Sequence, residues 1–367
     1  MTNLRTFNNL YIDLSQSAYE DRPYSFYHRL LYTDDYADMD FSLTYDEQTE
    51  TIVGGKNLPN NGIVYVHKDK TVQTEIEMKS VDNEYAYKKG LLLNQKDGFN
   101  AYFLTDTSEL NTDTKNAYLA VKGSDFPSLK KIGAISNDWL GNNYRFVMHD
   151  EYIQQGKLVE EALHVKLAEL REKAPNANMT GHSLGSIASV QGAAHLSVEE
   201  LQQIGEIVVF NGPDTLKSLR KSGVSEEVIQ ILNEKVTYYV NPFDIVSMLN
   251  RNTDEQLGKV KVIVPFNFST TFGTPSSHDF GEYRIHSDGK ILEATEDFFP
   301  AYLKAGEKLS KLLNKYIELI KEGNSKFGLD KIGDTAEVLL TLVNGGLNYS
   351  KFMEEYQAII DETKQAV

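Results

Sequence analysis

One pentapeptide in this chain has the residue types and spacing of an enzymatic nucleophile: Gly181-His182-Ser183-Leu184-Gly185, a G-x-S-x-G pattern. A serine so placed sits on a sharp turn between a strand and a helix, where only glycine tolerates the crowding on either side. The turn exposes the serine Oγ, and the amide of Leu184 points to where an oxyanion would form during acyl transfer. Ala177-Asn178-Met179-Thr180 ahead of the motif suits a strand. Ser186, Ala188 and Ser189 behind it are small enough for a helix packed tightly on a sheet. A glycine-rich structural turn is the competing reading. Other chemistries find less support. The chain has no cysteine, which excludes disulfides, a thiolate zinc site and a cysteine nucleophile. His149 and Asp150 lack partners at ligand spacing and read as a solvated helix start, so no metal and no cofactor is expected. Gly54-Gly55-Lys56 lacks the spacing of a phosphate loop and reads as a turn.

The elements that must position Ser183 follow from periodicity. Residues 1–50 are rich in Tyr and Asp, with a helix expected over 25–32. Strands are expected over 63–66, 71–78, 98–104 and 117–121; in the second, Val72, Thr74, Ile76 and Met78 share one side. A helical pattern runs from about 150 to 173 and is stopped by Pro175. Strands at 206–210, 236–240 and 260–264 then alternate with helices after Leu184 and over 215–221 and 226–233. Strand and helix in alternation imply crossover connections and an α/β fold with a mostly parallel sheet. Beyond about 290 the strands vanish. Leu309, Leu312, Leu313, Tyr316, Ile317 and Ile320 form an apolar stripe at helical spacing, which Gly323 ends. Asp334-Thr335-Ala336-Glu337 reads as a capping-box variant opening a second helix, Gly345-Gly346 breaks it, and Phe352, Met353, Tyr356, Ile359 and Ile360 line a third. The expected division is a body over 1–294, with residues 1–60 as an extension packed on it, and a helical segment over 295–367. That segment is either a cap completing the core or a separable targeting or partner-binding element.

Around the motif the chain resembles the class 3 (fungal-type) lipases of the α/β-hydrolase fold, over about residues 95–290. Thr180-Gly181-His182-Ser183-Leu184-Gly185 is similar to that family's nucleophile elbow. Ala120-Val121-Lys122-Gly123-Ser124-Asp125, followed by Asn137-Asp138-Trp139-Leu140, is similar to its block carrying the second oxyanion-hole amide. The resemblance implies that Ser124 and Leu184 supply the two backbone N–H groups. Two positions depart from the family pattern: Lys122 stands for an arginine, and Ser186 for a second glycine.

A serine nucleophile needs a base, and the base an acid; in this fold they follow in the order Ser, acid, His. Asp244, in Val240-Asn241-Pro242-Phe243-Asp244-Ile245-Val246, lies just past a strand and resembles the family's acid. Asp214, after Asn211-Gly212-Pro213, competes with it but also reads as a helix N-cap. His28, His67, His149 and His164 precede the serine. His182 lies within the elbow, its ring beside the sheet, and His195 is on the following helix. His278, in a loop after the last strand, is the expected base, and His286 the competitor. Residues 125–147, with Phe126, Leu129, Ile132, Ile135, Trp139 and Leu140, form either an apolar lid or a buried loop.

Lys and Arg total 37 against 53 Asp and Glu, a net charge of −16. That balance argues against nucleic-acid binding and against docking on an anionic membrane through basic residues. No stretch approaches the roughly 20 apolar residues of a membrane span, and no signal-peptide run is present, so the expected protein is soluble, cytoplasmic or exported by another route. The expected activity is serine carboxylic-ester hydrolysis of a lipid or phospholipid. A small-ester esterase, an acyltransferase or a non-catalytic pseudo-hydrolase are the alternatives. With its C-terminal helices the chain also resembles the lipase toxins of the Gram-positive type VII secretion system, which implies an immunity protein and small helical export partners.

Overall fold

The structure is a computed structural model that describes residues 10–18, 44–46, 51–53, 63–80, 83–123, 144–170, 177–251, 255–273, 275–279, 282–283, 291–326 and 334–367. The expected helix over 25–32, the Gly54-Gly55-Lys56 turn, Ser124, the apolar residues between Phe126 and Leu140, and His286 lie outside the described residues.

Five strands form the half of the sheet that carries the motif: β8 (Ala117–Val121), β9 (Ala177–His182), β10 (Ile204–Phe210), β11 (Val236–Val240) and β12 (Lys259–Val262). They are all parallel and lie side by side in chain order. β8 is buried along its whole length, as expected of a strand covered on both faces. Its side chains alternate between two apolar clusters. Ala117, Leu119 and Val121 face the main core. Tyr118 and Ala120 face Leu14 of helix α1 (Leu10–Ser17) and Ala18 just past its end. Each crossover returns through helix: α3 (Gln154–Leu170) between β8 and β9, α4 (Leu184–Ala194) and α5 (Val198–Gln203) between β9 and β10, α6 (Leu216–Lys221) and α7 (Glu226–Lys235) between β10 and β11, and α8 (Ile245–Met248) between β11 and β12. The expected helix at 150–173 is shorter: α2 (Tyr144–His149) ends at Asp150, whose φ of 47° breaks it from α3.

The central strands carry the mostly parallel character expected of the sheet, and the strands on the other side of β8 are antiparallel. β7 (Phe99–Thr105) pairs antiparallel with β8, and β3 (Ile63–His67), β2 (Thr51–Val53) and β1 (Thr44–Asp46) continue outward. A hairpin of β4 (Gln73–Ser80) and β5 (Asn83–Lys89) reaches the sheet through the short β6 (Leu93–Asn94). The apolar side of β4 faces outward: Ile76 is 65% and Met78 58% exposed.

The described C-terminal residues form two helices, not three: α9 (Pro300–Lys326) and α10 (Asp334–Ala366). Helix α9 runs past Gly323, and α10 runs through Gly345-Gly346. A glycine costs a helix only about 1 kcal/mol relative to alanine, which packing against a neighbour outweighs. Tyr302, Leu309, Leu312, Leu313 and Tyr316 of α9, with Tyr356, Ile359 and Ile360 of α10, are buried in the same apolar cluster as the parallel strands. Burying side chains of this size contributes about 1.5–3 kcal/mol each. A fragment ending at residue 294 is therefore expected to aggregate and to show no cooperative melting transition. A soluble 1–294 fragment with a sharp thermal transition would refute this account of the helices.

Candidate active site

The carboxyl ends of β8 to β11 come level at one edge. Val121 lies opposite Gly181, Phe210 opposite His182, and Tyr239 opposite Phe210. In sheets of this kind the loops that leave the carboxyl ends build the ligand site.

Ser183 follows β9 with φ 58° and ψ −123° and caps α4. This is left-handed backbone for a residue with a side chain, a strained state that the surroundings must enforce. The Ser183 amide donates to the Phe210 carbonyl at 3.0 Å, and the Ser183 carbonyl accepts the Ser186 amide at 3.0 Å. The flanking glycines are required by close approach. A Cβ on Gly181 would lie 2.4 Å from the Gly185 carbonyl oxygen, and one on Gly185 would lie 2.4 Å from the Val121 carbonyl oxygen. Leu184 is the first helical residue, so its N–H is one of the amides without an intrahelical acceptor. The Ser186 hydroxyl reaches the Gly181 and Phe210 carbonyls at 3.2 and 3.1 Å.

Asp244 is fully buried and N-caps the short helix α8 (Ile245–Met248). Its carboxylate accepts the Val246 and Ser247 amides at 3.1 and 3.0 Å, the Ser247 hydroxyl, and the Thr271 hydroxyl at 3.2 Å. A fifth donor is Nδ1 of His278 at 2.9 Å. With Nδ1 bearing the proton, Nε2 of His278 carries the lone pair, the state a general base needs. Only 3% of the His278 side chain is exposed.

His278 is held beside the elbow by its own carbonyl. That oxygen accepts from His182 Nε2 at 2.8 Å and from Asn211 Nδ2 at 3.0 Å, and the two imidazole rings lie 4.7 Å apart. The structure thus joins Asp244 to His278 and seats His278 against the residue preceding Ser183. Asn211, past β10 with φ 47°, also accepts the Asn241 amide at 3.2 Å and the Tyr283 hydroxyl at 3.0 Å. Burial and the neighbouring Asp244 push the Tyr283 phenol well up, so it remains a donor. Nothing in the sequence pattern points to Asn211 or Tyr283 as part of the site. An asparagine between a strand and Gly-Pro is a common turn residue, so nothing local marks it as a hub.

The competing residues have other work. Asp214 accepts the Leu216 and Leu257 amides at 2.9 and 2.8 Å, with Arg251 4.0 Å away. Burial pushes its carboxyl up while Arg251 pulls it down. Asp214 is not the N-cap expected of it: Thr215 holds that position before the helix Leu216–Lys221, and Asp214 accepts the first helical amide from one residue further back. His195 stacks on Tyr152 at 3.7 Å, His164 pairs with Glu200 at 2.7 Å, and His67 bonds Thr105 at 2.5 Å. A cleft of about 830 Å³ runs from the β4–β5 hairpin to Lys122 and Gly123, with Tyr85, Phe99, Tyr102 and Lys88 in its walls. The Gly123 amide lies 3.1 Å from where a Cβ of Gly185 would be.

No protein-family model matches the chain, and no curated protein matches it. What the site can do therefore follows from its own geometry: a serine on a strained strand-to-helix turn, and an imidazole that a buried carboxylate orients and that is held against the residue preceding that serine, in a mixed α/β fold. Among the described residues, no helix is long and apolar enough to cross a membrane.

Gly185→Ala tests the elbow. The added methyl would meet backbone at Val121, so a loss of about 1–3 kcal/mol in urea unfolding is expected. Unchanged stability would refute the close approach.

Proposed function

We propose that this chain is a serine carboxylic-ester hydrolase acting on lipid, of the lipase or phospholipase A type. The observation that carries the reading is the 2.9 Å Asp244–His278 pair, fixed through the His278 carbonyl to His182 of the elbow. In this reading Ser183 Oγ attacks the acyl carbonyl carbon while Nε2 of His278 takes its proton. The Leu184 amide, with that of Ser124 by resemblance, holds the oxyanion. The same proton then passes to the leaving alcohol, and water, activated by His278, releases the acid from the acyl-enzyme. Asp244 keeps the imidazole in the required tautomer and stabilises the imidazolium.

Lipid as substrate rests on the family resemblance. The exported-toxin reading, with its immunity and export partners, rests on resemblance alone. Incubation with a mixed lipid extract, followed by mass spectrometry of released fatty acids and lysolipids, tests the substrate class; unchanged lipids would sink it.

Ser183→Ala and His278→Ala are each expected to lower ester turnover by about 10⁴- to 10⁶-fold. The melting temperature should stay nearly unchanged in Ser183→Ala and fall in His278→Ala, which leaves the buried Asp244 short of a donor. A fluorophosphonate probe should label the wild-type chain at Ser183 and leave Ser183→Ala unlabelled. An alanine variant with a tenth of normal turnover would place the nucleophile elsewhere, and a folded wild type that takes no label would make the chain a binding module.

Asp244→Asn and Asp214→Asn separate the two buried acids. The first should lose activity by about 10⁴-fold through the wrong imidazole tautomer. The second is expected to lower the melting temperature while the folded fraction keeps its kcat. The reverse pattern would show that Asp214 serves the chemistry.

A further inference from the structure

A single hydroxyl from the C-terminal helix bridges the two loops that carry the buried acid and the imidazole. Tyr356 of α10 is fully buried. Its O–H donates to the Phe243 carbonyl, in the residue directly before Asp244. The same oxygen accepts the Thr271 amide at 3.0 Å, in the loop that leads to His278. A phenol has one proton, so donation to Phe243 leaves its lone pairs for Thr271. Burial pushes the Tyr356 phenol up to about 12, so it remains a donor throughout the neutral range.

Thr271 passes this restraint on. Its Oγ1 accepts the Ile245 amide at 2.8 Å, which leaves its own proton for Oδ1 of Asp244, 3.2 Å away. Ser277, next to His278, donates to the same Phe243 carbonyl at 3.1 Å. The acid-bearing turn and the base-bearing loop therefore meet at one carbonyl and one phenol. The position of that phenol is set by helix packing: Phe352 lies 5.7 Å from the Tyr356 ring and 5.3 Å from the Tyr316 ring of α9.

We propose that Tyr356, acting through Thr271, is a positioning residue that clamps the Asp244 turn to the His278 loop, so that ester hydrolysis requires the C-terminal helix to be docked. The proposal rests on the hydrolase reading of Ser183, Asp244 and His278, and it adds a control over that site. Lifting α10 from the body removes the acceptor of the Thr271 amide and one donor of the Phe243 carbonyl. Asp244 and His278 then lose their common register, while Ser183 and its strained turn are untouched.

The test compares full-length wild type with Tyr356→Phe, which keeps the ring and removes the bridging oxygen. With p-nitrophenyl butyrate as probe, kcat is expected to fall about 10- to 100-fold while KM stays within about twofold. The downfield proton resonance of His278 Nδ1–H, read by NMR, should be lost or shifted in the variant. Thr271→Val, which removes the hydroxyl facing Asp244, should produce the same two changes and covers the case in which Tyr356→Phe does not fold. Tyr316→Phe is the control, because Tyr316 bonds Glu355 at 3.1 Å on the same helix pair but faces neither loop. It should keep wild-type kcat and resonance. Wild-type kcat and resonance in Tyr356→Phe overturn the proposal, as does an equal loss in Tyr316→Phe, which would reduce the effect to general helix docking. A resonance that Tyr356→Phe abolishes, in a wild-type chain that hydrolyses no ester, supports the clamp and overturns only the hydrolase reading.

Discussion

A carboxylate with no solvent exposure tolerates its position only if donors surround it, and that requirement at Asp244 organises the whole edge of the sheet. Three of its donors, two amides and the Ser247 hydroxyl, are local to the start of a four-residue helix, so part of the solution is an ordinary N-cap. The remaining partners, Thr271 and His278, arrive from a loop some thirty residues on. That loop cannot drift without leaving a buried acceptor unmet, a loss of about 1–3 kcal/mol for each missing donor. Holding the acid in place is therefore the same physical act as holding the imidazole in place.

The strain at Ser183 and Asn211 is the second constraint, and it depends on the first. Both residues have φ near +50° at the ends of adjacent parallel strands. Such states cost of order 1–3 kcal/mol each and persist only where the surroundings leave no alternative. The Ser183 amide is tied to the Phe210 carbonyl, and the Asn211 amide to the Tyr239 carbonyl at 2.9 Å. Each strained turn is thus pinned to the next strand. The turn at Asn211 presents its side chain to the His278 carbonyl, so the strain is used to aim a donor. Beside these turns the C-terminal helices complete the apolar core and reach the acid-bearing turn through one phenol.

Local chemistry was legible wherever a few residues decide the outcome. Val236-Thr237-Tyr238-Tyr239-Val240 is β-branched and aromatic throughout, and the strand spans those residues. The elbow is legible because two glycines are demanded by backbone contacts within five residues of one another and at the next strand. The order of serine, acid and histidine left few candidates for each position. The outward-facing apolar side of β4 was not legible, since alternation announces a strand but does not say which face is covered.

What the sequence by itself determined, then, is the set of local elements: the β8 to β12 strands, the tight turn at Ser183, and helices wherever an apolar stripe recurs. Only the tertiary structure decided which distant groups meet. Asp214 and Asp244 both read as residues after a strand, yet one is matched by the Leu257 amide and the other by His278. Gly345-Gly346 reads as a break, yet α10 continues through it. Tyr356 reads as one more residue of an apolar stripe, yet its hydroxyl meets a carbonyl 113 residues earlier in the chain. The reason is one of range. Propensity, sterics and capping act over a few neighbouring residues, whereas a buried hydrogen bond depends on which loops the sheet delivers to a common edge.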